Sequence, residues 1–384
     1  MPSPIQELRI LHTKYLYPDI YGGNLRTLNI ARLAQGVCGK TTVFSMDDKV
    51  NFEGSFQGIP VIQEKELPPK RESIRDYFHA LTAKVLTVPY TQRAFDHSDL
   101  SLFQIEDPSL YPLLKKNHIC RFILDEHNVN WELPHPPQTD LKKKIYAKIA
   151  SRREKENEKQ ALHDADHILC CSTRDRDILM GGVPEIDGKI SVIPNCVNIR
   201  DYDAACRAPE PGDTTVKERQ VLFVGTLSYQ PNMDAVRLIC KDIAPQCPDC
   251  VFIIVGINPP KIPYPHNVKR TGYLPDVRPV LAGADICIAP ICSGSGTRLK
   301  ILEYMAMGKP VISTSKGAEG IDYTHGLNIV IEDEIERYPE IIHQLVADET
   351  RCSDLGRNAL KLVREKYDWQ IYRKSLEKIY QDMR

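Results

Sequence analysis

Short apolar runs, rich in β-branched residues and bounded by turn formers, recur along the first half of the chain: LRILH from Leu8, TVFSM from Thr42, SLFQIE from Ser101, RFILDEH from Arg121, HILCCS from His167 and ISVIP from Ile190. Helical stretches separate most of them, an alternation that predicts right-handed βαβ units and a parallel sheet covered on both faces. The pattern lapses in PNCVNIRDYDAACRAPEPGDTTVKERQ, rich in Pro, Asp and other polar residues, then resumes with VLFVGT at Val221, VFIIVG at Val251, DICIAP at Asp285, PVIST at Pro310 and NIVIED at Asn328. The expected architecture is α/β, two tandem Rossmann-like doubly wound domains with a cleft between them. Residues 1–197 would form the first domain, 198–218 the linker and 219–365 the second. In the last segment Trp369, Tyr372, Leu376 and Tyr380 fall near helical spacing, so 366–384 should be an amphipathic helix returning towards the first domain.

Composition narrows the function. A chain of 384 residues is too long for one ordinary core, in keeping with two domains. Its 50 basic and 51 acidic residues nearly cancel, which gives no sign of a nucleic-acid binder. The N-terminus has no basic start followed by an apolar signal core, and no window approaches the apolar length of a membrane span, so a cytoplasmic protein is expected. The 12 cysteines are scattered and often sit inside apolar strands, as Cys170 and Cys171 do, so most read as buried free thiols. The CPDC pair Cys247 and Cys250 lacks a second ligand pair at zinc spacing and reads as a turn carrying two thiols. The basic helical segment LKKKIYAKIASRREKENEK after Asp140 has two open readings: a solvated face, given Glu154, Glu156 and Glu158, or peripheral contact with an anionic membrane.

The most informative stretch is ICSGSGTRLKILEYMAMGKPVISTSKGAEGI, from Ile291 to Ile321. It places Ser293, Gly294, Ser295 and Gly296 in a small-residue loop after a strand, with a helix expected from Thr297. The first amides of a helix lack intrahelical partners and attract anions, and glycines let a diphosphate approach the main chain. Arg298 and Lys300 add two positive charges there, enough to neutralise phosphate without a metal. At 100° per residue Leu299, Leu302, Met305 and Ala306 form the buried arc, and Glu303 falls inside it. Either Glu303 accepts from the vicinal hydroxyls of a ligand, or it pairs with Lys300 or Lys309 at the surface.

In the first half, Gly22 and Gly23 precede a helix expected near Asn24, a favoured N-cap. They allow close approach of a ligand or make a tight turn; the spacing is not the Gly-x-Gly-x-x-Gly of dinucleotide folds. Asp125, Glu126, His127 and Asn128 follow the strand RFIL, at the carboxyl end where α/β clefts form. A histidine there can be structural or catalytic.

The Ile291–Ile321 stretch resembles the donor-binding signature of the GT-B glycosyltransferases of family 4, in the subgroup with a GSGTRLKILE-type loop. The resemblance extends over nearly the whole chain through the early GlyGly loop, EHN, VIPN, VGTLSYQPN, GYLPD and the closing Tyr-Asp-Trp helix. It implies a retaining, metal-independent, hexosyltransferase-like enzyme without cofactor, of the kind that serves polysaccharide biosynthesis. The donor would be a nucleotide diphosphate sugar and the acceptor a glycan, a lipid-linked or a small molecule. Glu303 would hold the ribose, and Gly225 with Ser293, Gly294, Ser295, Gly296, Thr297 and Leu299 would line the donor site. Tyr273, itself equally open to a core role, and Leu274 would meet the base. Gly22 and Gly23 would face the donor phosphates and acceptor, and His127 would touch the transferred sugar. Asp125 and Glu126 would orient that ring or bind acceptor. As the leaving diphosphate gathers charge, Arg298 and Lys300 would stabilise it.

Two departures stand out. The family's first glutamate, usually in contact with the donor sugar, falls on Ser295, for which Glu319 is a candidate substitute. The basic pair usual after the VGTL-type strand is replaced by Ser228, Tyr229, Gln230, Pro231 and Asn232. The alternatives are a sugar-nucleotide epimerase of the same fold and a non-catalytic nucleotide-sugar binding protein.

Overall fold

A computed structural model describes residues 5, 7–13, 22–47, 51–56, 58–65, 92–95, 101–132, 141–206, 218–294 and 296–383. They divide into two compact units, Met1–Pro194 with Tyr372–Arg384, and Asn195–Ile371.

The first unit carries strands β1 (Glu7–Leu11), β2 (Lys40–Asp47), β3 (Phe52–Phe56), β4 (Ile59–Lys65), β5 (Ser101–Ile105), β6 (Phe122–Glu126), β7 (His167–Cys170) and β8 (Ile190–Val192). They lie in the order β3-β4-β2-β1-β5-β6-β7-β8. All six strands expected from the apolar runs are there and run parallel. The edge adds a hairpin in which β3 runs antiparallel to β4. Its β3 sequence, FEGSF, is exposed along most of its length, so it leaves no apolar run to read. By contrast every residue of β6 is buried, as a central parallel strand covered on both faces requires. The helix Gly22–Ala34 follows β1, and the helix Leu141–Asp164 follows β6. Arg152 to Glu156 of the latter are exposed all round. In the last helix, Trp369–Asp382, the residues from Tyr372 belong to the first unit; Leu376 and Tyr380 are buried there, at the spacing read from the sequence.

The second unit is built on β9 (Arg219–Val224), β10 (Cys250–Val255), β11 (Val268–Gly272), β12 (Ile286–Ala289), β13 (Val311–Ser313) and β14 (Val330–Ile331), all parallel. The order β11-β10-β9-β12-β13-β14 places β9 and β12 side by side, with successive strands added outward from each. That is a topological switch point, where the loops leaving the carboxyl ends diverge and leave room for a ligand. The stretch expected as linker holds a helix, Ile199–Cys206, within this unit; residues 207–217 lie outside those described. CPDC is a turn: Cys250 N–H donates to Cys247 O at 3.1 Å, and the Asn267 amide donates to the carbonyls of Ala244, Cys247 and Cys250. Both thiols are free and buried. No helix among the described residues is long and apolar enough to cross a membrane.

Candidate functional site

The switch point of the second unit collects most of the residues singled out in the sequence. Gly225 directly follows β9, and its N–H donates to Val255 O at 3.0 Å, tying it to the end of β10. A Cβ on Gly225 would stand 2.7 Å from Lys300 Nζ and 2.9 Å from Asn232 Cγ, so any side chain here would push both groups aside. Lys300 Nζ donates to Asn232 Oδ1 at 2.7 Å and lies 4.3 Å from the Phe223 ring centroid. Asn232 in turn donates through Nδ2 to Thr226 O at 2.9 Å. Burial, and then the Arg298 charge, bring the Lys300 pKa down to about 7 against the opposing pull of Glu303.

The helix begins at Leu299, not Thr297, and runs to Ala306; Arg298 occupies the N-cap with extended backbone and no side-chain cap bond. The two residues before Leu299 are drawn into the loop instead. The Arg298 guanidinium donates to Gly296 O at 3.1 Å and Ser293 O at 3.0 Å, strapping the loop across its base. Gly294 has φ +90°, which strains any other residue, and a Cβ there would also displace Tyr229 Oη at 2.7 Å and Arg298 Nη2 at 2.8 Å. Ser293 is exposed, Gly296 and Thr297 half-buried; Ser295 lies outside the described residues.

The buried arc of this helix is wider than its projection suggests. Ile301 and Tyr304 are fully buried along with Leu302, Met305 and Ala306, whereas Leu299 is half-buried. Tyr304 ties the helix to β9, because its Oη accepts from the Val224 N–H at 2.7 Å. Glu303 is half-buried and pairs with neither lysine proposed for it. Lys309 donates to Ala282 O, and Glu303 Oε1 accepts from Tyr202 Oη at 3.0 Å. Burial raises the Glu303 pKa; the Tyr202 bond and the Lys300 charge work against that. Tyr202 comes from the helix within the expected linker and could not be picked out from local spacing, being 101 residues away.

Tyr273 is 57% exposed, which excludes a core role, and Leu274 is half-buried. Both follow β11, whose last residue Gly272 accepts from Gly256 N–H at 3.0 Å. Two strand spacings, about 10 Å, separate that edge from β9. Glu319 pairs with Lys316 at 2.7 Å, and its charge bears on Arg298.

In the first unit, helix Gly22–Ala34 starts two residues before the expected Asn24, so Gly22 and Gly23 lie in its first turn and not in a preceding loop. Asn24 is buried within that turn, where the N-cap reading does not apply. Asp125 and Glu126 sit on opposite faces of β6, as neighbours in a strand must. On one face Arg26 holds Asp125 with Nε at 2.9 Å and Nη2 at 2.6 Å, and His127 Nε2 lies 3.1 Å from Glu106 Oε2 and 3.5 Å from Asp125 Oδ2. On the other face Glu126 is buried, and burial together with Glu158 raises its pKa strongly, so it takes no part at His127. Burial pulls the His127 pKa down, but the bonds to Asp125 and Glu106 outweigh it and hold it up at about 9.

Among the described residues, Glu106, Asp125 and His127 form a group whose ligand atoms come within 4.8 Å, a spacing a metal ion could use. The buried Arg26 guanidinium already occupies Asp125. Glu106 was missed in the sequence, although it ends the run SLFQIE one strand from Asp125 and at the same carboxyl edge.

Comparison with known proteins bears on this geometry. A Bacillus subtilis strain 168 protein, YtcC, provisionally named a glycosyltransferase, is 22% identical over 340 residues, 74% of this chain and 84% of its own. One component of the Homo sapiens phosphatidylinositol N-acetylglucosaminyltransferase is 25% identical over 238 residues, 57% of this chain and 46% of its own. Among solved structures, sucrose-phosphate synthase from Thermosynechococcus elongatus superposes with a TM-score of 0.73 at 16% identity, covering 98% of this chain and 99% of that one. Anabaena Alr3699/HepE in complex with UDP and glucose gives 0.66 at 15% identity, covering 97% and 99%. The chain therefore has the GT-B fold, and its residues 218–348, which contain the switch-point site, match the family model of the Glycosyl transferases group 1.

Proposed function

We propose that the chain is a retaining, metal-independent glycosyltransferase of family 4 that takes a hexose from a nucleotide diphosphate sugar. The observation that carries this reading is the convergence at one switch point of a bare Gly225, an N-terminal helix turn without a side-chain cap, and the cations Arg298 and Lys300, with Glu303 one helical turn beyond Leu299. Two cations and a helix start suit a diphosphate whose charge grows as the glycosidic bond breaks. A carboxylate further along the helix, raised in pKa and anchored by a tyrosine, suits the ribose hydroxyls. The leaving phosphate oxygen is a reasonable acceptor for the proton of the incoming hydroxyl, so no protein nucleophile is needed. The acceptor is a glycan, a lipid-linked or a small molecule, and the protein works in the cytoplasm, touching the membrane peripherally if the acceptor is lipid-linked. HepE has been solved in complex with UDP-glucose, which makes that donor the first to try.

The test is incubation with a panel of sugar nucleotides, with and without EDTA, measuring free nucleoside diphosphate, isomerised donor and thermal shift. Release of diphosphate insensitive to EDTA, with Glu303→Ala and Arg298→Ala folded but severely impaired, is expected. An isomerised donor, binding without turnover, or wild-type rates in both variants would each overturn the reading.

A further inference from the structure

Among the described residues, the carboxyl edge of the first unit's sheet gathers charges that act directly on His127. Asp125 on β6 and Glu106 after β5 supply two carboxylates, both buried. Arg26, from the helix Gly22–Ala34, supplies one guanidinium, bidentate on Asp125 and donating from Nη1 to Ile193 O at 2.6 Å. Tyr380, from the last helix, and Cys171, after β7, also bear on this set; burial raises the pKa of both, so neither adds charge at neutral pH. Among the described residues in contact with His127 or Asp125, two carboxylates stand against one guanidinium, an excess of negative charge in a desolvated place that favours a further cation; His12, buried at the end of β1 beside β5, is another titratable group on this edge.

The imidazole is the group positioned to supply it. Both carboxylates approach the same ring nitrogen, Nε2, so Nε2 carries a proton in either charge state and the charge resides in whether Nδ1 is also protonated. Glu106 itself is pinned. Thr27 Oγ1 donates to its Oε2 at 2.6 Å, Gln104 Nε2 donates to its Oε1 at 2.7 Å, and Tyr380 Oη donates to Gln104 Oε1 at 2.6 Å. Every member of this chain is buried.

We infer that His127 works as a fixed imidazolium, offering Nδ1–H as a charged donor and not as a base, and that Glu106 is the positioning residue that keeps it so. The inference rests on the glycosyltransferase reading only for what His127 donates to. A charged donor suits an oxygen that gains negative charge, such as a hydroxyl or phosphoryl oxygen of the ligand. It cannot take the proton of an incoming acceptor hydroxyl, so that proton must leave by another route.

The experiment is a titration of the ring nitrogens by NMR on the full chain with 15N-labelled histidine, assigning His127 by its loss in His127→Asn. The wild-type ring should keep both nitrogens protonated through pH 8. In Glu106→Gln, which retains shape and loses charge, the midpoint should fall by more than about one pH unit. A wild-type ring that titrates at or below about 6.5, the ordinary histidine value, overturns the inference even if the variant does not fold. So does a midpoint unmoved in folded Glu106→Gln. Because the titration is made without substrate, it stands or falls separately from the turnover assays above. With an active donor at saturating concentration, so that the Lys300-linked loss of affinity does not enter, the alkaline limb of the wild-type kcat should lie above pH 8 and move to lower pH in Glu106→Gln.

Discussion

If Lys300 meets the donor diphosphate as proposed, binding is a proton-linked event whose size follows from the surroundings of Nζ. Burial first, and then Arg298, hold its pKa at about 7 in the free protein. A group with that value is about nine-tenths ammonium at pH 6 and about one-tenth at pH 8. A diphosphate in contact with Nζ favours the charged form and restores the proton, so binding takes up a proton wherever free Lys300 is neutral. Affinity must then weaken as pH rises, by roughly tenfold from pH 6 to pH 8, or about 1.4 kcal/mol. UDP-glucose is the probe of choice, because its diphosphate has no ionisation in this range and the free nucleotide does. Calorimetry at pH 8 in two buffers of different ionisation enthalpy should report close to one proton taken up per donor, and at pH 6 about a tenth of one. Lys300→Met should bind roughly 10- to 100-fold more weakly at pH 6 and lose most of the pH dependence. Wild-type affinity that is flat between pH 6 and pH 8, with no proton uptake, would refute the reasoning and place the phosphates elsewhere.

Gly225→Ala should fold yet bind UDP-glucose at least about tenfold more weakly, because a Cβ there would stand 2.7 Å from Lys300 Nζ and displace it; calorimetry against wild type decides. Tyr202→Phe removes the hydroxyl that anchors Glu303, so the donor KM should rise roughly 5- to 10-fold with kcat changed far less, and an unchanged KM would argue against the anchor. Glu158 is buried and its pKa is raised by burial, so the folded state keeps a proton that the unfolded chain gives up. Unfolding therefore releases protons above the ordinary carboxylate range, and stability falls as pH climbs towards the folded value. Glu158→Gln should flatten the decline of Tm between pH 5 and pH 8; identical slopes would contradict it.

The frame of the molecule was legible because strands buried on both faces write themselves as unbroken apolar runs, and the runs quoted, from LRILH to NIVIED, fall on strands of the two sheets. Three strands escaped notice: β3 and β11, largely exposed, where burial leaves no apolar run to read, and β4, whose short run IPVIQEK is interrupted by Pro60 and Gln63. The glycine-rich loop and its cations were legible for a local reason: they lie within eight residues of one another, from Ser293 to Lys300. Tyr202, Arg26 and Tyr380 were not, because each acts on a partner about a hundred or more residues away, Tyr380 on Gln104 across 276. The helix starts were misplaced by two residues in opposite directions, since a cap is decided by where the preceding backbone is held. Arg298 is held in the loop by two carbonyls, which delays one helix to Leu299.

The two clusters of charge differ in a way that says where an anion belongs. In the first unit, among the described residues in contact, Arg26 and the inferred imidazolium of His127 stand against Asp125 and Glu106, two cations against two carboxylates. In the second unit the Arg298 charge and burial make Lys300 less ready to carry charge, while the carboxylate beside it, Glu303, is drawn towards its neutral form by burial. Burial lowers the Arg298 pKa as well. On the proposed reading this arrangement is held at a cost that a diphosphate removes, because two negative charges let Lys300 ionise beside the already charged Arg298. The cost is recovered only when the ligand binds, and it grows in value as the bond to the sugar breaks and the charge on the departing phosphate rises. A neutral ligand of the same shape, such as a nucleoside without phosphates, would leave that cost in place. Uridine should accordingly bind far more weakly than UDP-glucose, and the gap between them should narrow at pH 8, where Lys300 no longer favours the phosphates.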